Sequence, residues 1–196
     1  MKKFIFGIFC FSFLIAGNGK MFTVDVENTS LRWEGVKVTG SHWGYVTMQD
    51  GSVNIEGRTI LSGDFTVTLN SMTEDGMGES PWKAKLLNHL KSDDFFDVAN
   101  HPTAHLKLTS AVYNNGAFSI SGDLTIRGMT HPIEFPAVIQ FSDKGPKATG
   151  QIKIDRTLYG MKYKSGKFFP EIGDKMIYDE FTLDFEVKSF TSKSIN

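Results

Sequence analysis

The chain has almost no cysteine. The single one, Cys10, lies inside an apolar run at the very start. The segment MKKFIFGIFCFSFLIAGNGK sets Lys2 and Lys3 ahead of that run, which extends from Phe4 to Ala16. The small residues Gly17, Asn18 and Gly19 follow it. This is the layout of a secretory signal peptide, and the run is short for a membrane span. Residues 1–19 are expected to be a cleaved leader. Phe9 puts a bulky aromatic where a lipoprotein signal wants a small residue, so Cys10 is not expected to be lipidated. The mature chain would then hold no cysteine, which excludes disulfides and thiol chemistry. Export behind such a leader points to a bacterium, with the protein periplasmic or secreted.

An excess of charge of one sign is also lacking. The formal net charge is -1, from 21 Lys and Arg against 22 Asp and Glu. A nucleic-acid partner is therefore not expected, because such binders must neutralise phosphates. No G-x-S-x-G elbow is present, so a serine triad of that type has no nucleophile.

Period-two alternation fills the rest. Phe65, Val67 and Leu69 alternate with polar neighbours, as do Leu106 and Leu108. The same holds for Phe118–Ile126, Ile133–Phe141, Ala148–Ile154 and Phe181–Val187. One polar and one apolar face per strand is the pattern of antiparallel sheets covering a core. Strands also fit 22–27, 30–39, 43–49 and 52–58, with turns expected at Asp50-Gly51, Asn114-Asn115-Gly116 and Asp143–Pro146. A single helix is expected near residues 81–91. There Trp82, Leu86, Leu87 and Leu90 recur at helical spacing, behind Ser80 as cap and Pro81 in the first turn. Many strands and one helix suggest a closed barrel or a sandwich. Gly44, Gly57, Ala104, Gly122, Ala137, Ala148 and Gly150 fall on the expected inward face, where they either leave room inside or pack against large neighbours in a solid core. Trp43, if turned inward, would narrow a mouth. Short, uneven strands and the internal helix argue against an outer-membrane barrel.

Chemistry-bearing strings are few. DDFFD, Asp93 to Asp97, has the spacing that isoprenoid synthases use for magnesium. It follows a helix here, without a second acidic segment, and reads better as a helix exit with solvated aspartates and core-plugging phenylalanines. His89, His101 and His105 are metal-ligand types. On a strand, His101 and His105 would stand about 13 Å apart, too far for one ion. Neither a metal site nor catalytic residues are assigned. The alternative is a metal-dependent enzyme or factor built from the His and Asp residues of 89–105.

Four strings together resemble one family. They are LRWEGVKVTGSHWGYV (Leu31–Val46), HLKSDDFFDVANHPTAHL (His89–Leu106), GDLTIRGMTHPIEFP (Gly122–Pro136) and DRTLYGMKY (Asp155–Tyr163). Their order and spacing resemble the YceI family of exported lipid-binding proteins, over a domain at 22–190. The resemblance implies an all-β fold: an extended, antiparallel, lipocalin-like β-barrel of about eight strands, with the helix near one mouth. It implies a pore holding a polyisoprenoid, isoprenoid quinone or fatty-acid-like lipid, and no other cofactor. Some members dimerise, so a homodimer is a candidate assembly, and transient contact with membrane is a candidate encounter.

By strand parity the expected pore lining is Phe65, Val67 and Leu69; Leu106 and Leu108; Leu124 and Ile126; Ile152 and Ile154; Phe181, Leu183 and Phe185; and Trp33. The helix and its exit add Leu86, Leu90 and Phe96. His42, Asp155, Arg156 and Tyr163 are the head-group candidates, chosen because they are polar and lie within the family-like strings.

Overall fold

The computed structural model describes residues 19–191. The expected leader, residues 1–19, lies outside them except for Gly19. Among the described residues nine strands form one antiparallel sheet: β1 (Lys20–Val24), β2 (Ser30–Lys37), β3 (Gly40–Glu56), β4 (Thr59–Thr68), β5 (Thr103–Asn114), β6 (Ala117–Ile126), β7 (Met129–Gln140), β8 (Lys147–Asp155) and β9 (Ile177–Thr191). Each strand from β2 to β9 pairs on both sides, so the sheet closes on itself. β1 and β2 both lie between β3 and β9, one beyond the other. They share one interrupted stave, which makes the structure an eight-stave barrel. A short 3-10 turn, Val26–Asn28, interrupts that stave, capped by the Asp25 carboxylate accepting from the Asn28 N–H at 3.3 Å.

Alternation is what makes the wall. On β6, Phe118, Ile120, Leu124 and Ile126 are all buried, and each polar neighbour points out. Asn115 and Gly116 both have positive φ (49° and 92°), the mirror-image turn that suits a two-residue hairpin. Arg127 and Gly128 form a second such turn, at 52° and 70°, between β6 and β7.

Three sequence expectations need correction. Asp50-Gly51 is not a hairpin turn: β3 runs unbroken from Gly40 to Glu56, with a register shift against β4 between Met48 and Asp50. This is a bulge. A Cβ on Gly51 would come within 2.8 Å of a Val24 methyl and 2.9 Å of the Phe65 ring, which explains glycine there. Gly57 faces no interior; it sits in the β3–β4 turn at φ 61°. Trp82 belongs to no buried helical face. It is 60% exposed and precedes the helix α1, which spans Lys83–Lys91.

The two barrel ends differ. The β3–β4, β5–β6 and β7–β8 links are short and meet at one end. Tyr113 and Phe118 pack there at 5.1 Å, Phe118 and Phe141 at 6.2 Å, and the Arg58 guanidinium lies 5.3 Å over Phe141. The opposite end carries the two long connections, β4–β5 with α1, and β8–β9.

Tyr159 lies in the β8–β9 connection and is 1% exposed. Burial first, and the Asp155 carboxylate second, push its hydroxyl up to about 12. The folded chain therefore keeps a proton that the unfolded chain releases near pH 10. Tyr159 stabilises fully below pH 10, and this contribution is lost as pH rises from 10 through 12. Urea unfolding at pH 9 and pH 11.5 is expected to show a loss of about 2 kcal/mol attributable to this residue. Tyr159→Phe should lack that component. Equal pH slopes for the two proteins would refute the assignment.

Candidate functional site, an apolar cavity along the barrel axis

The barrel is not solid. A cavity of about 270 Å³ runs inside it. Its lining follows β9 from Ile177 to Ser189. At ~3.3 Å per residue that is roughly 40 Å of strand, or roughly 30 Å along an axis to which strands tilt by about 40°. Small residues help keep it open: Ala104, Ala137 and Ala148 line it, opposite large side chains such as Phe135 and Phe185. At Gly150 a Cβ would come within 2.5 Å of the Pro136 carbonyl oxygen and 2.7 Å of the Phe185 ring, so glycine is what lets both approach.

All the apolar candidates chosen by parity line this cavity, from Trp33 on β2 to Phe181, Leu183 and Phe185 on β9. Leu86 and Leu90 of α1 reach it from the end with the long connections, as does Phe96 from the helix exit. Parity missed the contributions of β1–β3 neighbours and bulges, such as Met48, Val53 and Ile55. It also missed Met72 in the loop after β4.

The polar candidates separate. His42 and Arg156 line the cavity, together with Lys37, Tyr178 and Glu180, all at the same mouth. Asp155 and Tyr163 do not. The Asp155 carboxylate accepts from the Thr157 N–H (2.8 Å) and hydroxyl (2.6 Å), capping the 3-10 turn Arg156–Tyr159. Tyr163 packs against His89 (4.6 Å) and Phe95 (5.6 Å). Arg156 is 3% exposed and donates to the carbonyls of Tyr178 (3.1 Å), Met161 (2.6 Å) and Ile177 (2.9 Å). Burial pushes its guanidinium below the ordinary value, while Asp179 and Asp155 act in the other direction.

DDFFD is a helix exit. Phe95 is buried against His89 and Tyr163, and Phe96 meets Phe181 at 5.9 Å. Asp93 and Asp94 are exposed, and Asp97 turns the chain at φ 47°. The histidines of this region each face a different aspartate: His89 with Asp94, His101 with Asp97, His105 with Asp64. Among the described residues no cluster of three metal-ligating side chains forms.

One buried charge gave no sequence signal. Beyond β4 the chain continues along β3: the Thr73 N–H donates to the Tyr45 carbonyl at 2.9 Å and the Asp75 N–H to the Trp43 carbonyl at 2.8 Å. This segment crosses the mouth over Gly44, and the Trp33 indole donates to the Thr73 carbonyl at 3.0 Å. Glu74, with 0% exposure, is carried in with it, beside His42. Trp43 lies on the outer side, with the Arg32 guanidinium 4.7 Å over its ring, so it does not narrow the mouth.

A closed antiparallel barrel with an apolar axial cavity and a helix at one mouth defines a lipocalin-like protein. Residues 22–189 match the YceI-like domain, and the chain belongs to that family. Among curated relatives, the UPF0312 protein of Pseudomonas aeruginosa is 30% identical over 52% of this chain and 52% of its own. Protein YceI of Escherichia coli O157:H7 is 28% identical over 59% of this chain and 63% of its own. The matched part thus spans between half and two thirds of those relatives. The fold resembles Burkholderia cenocepacia BcnA, with TM-score 0.65 and 16% identity over 84% of this chain and 98% of that one. It also resembles a polyisoprenoid binding domain from Saccharophagus degradans, with TM-score 0.63 and 14% identity over 87% and 98%.

Proposed function

We propose that this protein is an exported, non-enzymatic carrier that holds one long-chain amphiphile, a polyisoprenoid, isoprenoid quinone or acyl lipid, within the barrel. The carrying observation is the lining: apolar along the barrel's length, with its charged side chains gathered at one mouth. Sliding a chain into such a cavity removes it from water at about 0.8 kcal/mol per methylene, so no covalent chemistry is needed for tight binding. The similarity in fold to the polyisoprenoid binding domain from Saccharophagus degradans supports the cargo class. Lys2-Lys3 and the apolar run that follows support a periplasmic or secreted location.

The mouth also carries exposed aromatics on its long connections: Trp82 at 60%, Phe169 at 50% and Phe168 at 39%. Lys85 lies over Trp82, and Lys162 and Lys167 over Phe168. Aromatic rings with lysines suit brief contact with an anionic membrane during loading.

Protein purified from its native envelope without detergent should release a prenyl or acyl species in one-to-one amount, read by native mass spectrometry and solvent extraction. Ala104→Phe places a ring in the cavity near the mouth. It should weaken uptake of added lipid at least about tenfold, because the ring would take up space that the chain needs. An empty protein that also refuses prenyl and acyl lipids would overturn the proposal.

A further inference from the structure

The mouth contains a polar pair that the wall does not need. Glu74 has no exposed surface, yet only its Oε2 is satisfied, accepting from the Met77 N–H at 3.1 Å. Its Oε1 stands 3.5 Å from Nδ1 of His42, an approach too long for a well-formed hydrogen bond. Neither Oε1 nor Nδ1 has another partner among the described residues. Nδ1 is fully covered, while a quarter (25%) of the His42 side chain is exposed. With Nδ1 covered, what His42 exposes comes from the rest of its side chain, and the residue lines the cavity. Directly across from His42 in the strand register is Gly35. A Cβ built there meets nothing within 4 Å, so an open cradle lies beside the histidine. Lys37, two residues along on the same inward face, also lines the cavity.

We propose that Gly35, Lys37, His42 and Glu74 form the head-group subsite, and that it selects a hydroxyl, as in a prenol, phenol or quinol, over acceptor-only heads such as an ether or an oxidised quinone. This rests on the lipid-carrier reading. A carboxylate only accepts, so in a neutral ring the proton sits on Nδ1, the nitrogen that faces Glu74. Nε2 is then an acceptor and needs a donor. A hydroxyl supplies one, and its own lone pair accepts from the Lys37 ammonium. An ether or quinone carbonyl can satisfy Lys37 but leaves Nε2 unpaired, facing oxygen against nitrogen.

Glu74→Gln gives a sharp test, because the amide has only one orientation that keeps the Met77 bond. The Met77 N–H requires the carbonyl oxygen, so the amide NH₂ must face Nδ1. Nδ1 then becomes the acceptor and the proton moves to Nε2, turning the subsite from acceptor to donor.

The probes are farnesol, farnesyl methyl ether and farnesene, each displacing N-phenylnaphthylamine fluorescence from the full-length purified protein. Wild type should prefer alcohol over ether by about five- to tenfold, the worth of one hydrogen bond in a dry site. The preference should fall to about one in His42→Leu, and to one or below in Glu74→Gln. Glu74→Gln conserves volume, so it carries the test even if His42→Leu disturbs the mouth. If all three probes bind wild type equally, or the alcohol preference persists in Glu74→Gln, the subsite is wrong and the carrier reading stands. If no probe binds, farnesene included, the carrier reading fails and the subsite with it.

Discussion

Arg156→Ala is expected to destabilise the protein by about 3–5 kcal/mol. The guanidinium is nearly buried and is shared by three carbonyls from two separated stretches, Met161 in the β8–β9 connection and Ile177 and Tyr178 at the start of β9. Removing it leaves those oxygens without donors in an apolar surrounding, and leaves Asp179, 3.6 Å away, without its cation. The Phe95 ring, 5.9 Å from the guanidinium carbon, also loses a face contact. Lysine should recover less than half of the loss, because one ammonium cannot reach three carbonyls arranged around a planar fork. For a domain of this size the melting temperature should fall by roughly 10 °C. Thermal and urea unfolding followed by circular dichroism would measure both variants. A loss under about 1 kcal/mol would mean that water at the mouth takes over the carbonyls.

Gly44→Ala is the second large effect, at about 2–4 kcal/mol. Its Cβ would overlap the Thr73 carbonyl oxygen and lie 2.6 Å from the carbonyl carbon and 3.0 Å from the Glu74 Cα. All of these are backbone atoms, so no rotamer change relieves the overlap. The strand must bulge outward or the segment carrying Thr73 and Glu74 must leave the mouth. The second route frees the Trp33 indole from its acceptor, so a change in tryptophan emission should accompany the loss of stability. Gly35→Ala is the control on the neighbouring strand, where a Cβ meets nothing. It should be neutral or slightly stabilising, by up to about 1 kcal/mol. Equal stability of the Gly44→Ala and Gly35→Ala proteins would contradict the placement of the Thr73–Glu74 segment.

The contrast between these two glycines shows where the sequence was informative. Strand parity placed Phe65, Leu124, Ile152 and Leu183 toward the axis, since alternation is local and one strand reveals it. It could not separate Gly44, which admits a loop, from Gly35, which leaves space, because the difference lies in a segment some thirty positions away. Asp50-Gly51 looked like a hairpin turn because a bulge and a turn use the same residues; only the pairing of β3 with β4 tells them apart. Glu74 was invisible for a similar reason. It sits in an irregular stretch with no periodicity, and its burial comes from long-range packing. Asp155 and Tyr163 looked equivalent to His42 by composition, yet a cap and an aromatic cluster claim them.

The split stave has a consequence for how the chain reaches this state. β2 is bordered by β3 and β9, so Arg32 meets Asp184 across 152 positions. β1 is likewise held by β3 and the end of β9. A growing chain can zip β3 through β8 from neighbour to neighbour, but one edge of β2 has no partner until the last strand is made. Closure is thus a single late event with a large entropic cost of joining distant segments. Losing β9 would expose two unpaired edges at once, on the stave that β1 and β2 share and on β8, and such edges recruit other chains. A truncation before Ile177 should therefore yield aggregates and not a smaller, weaker barrel.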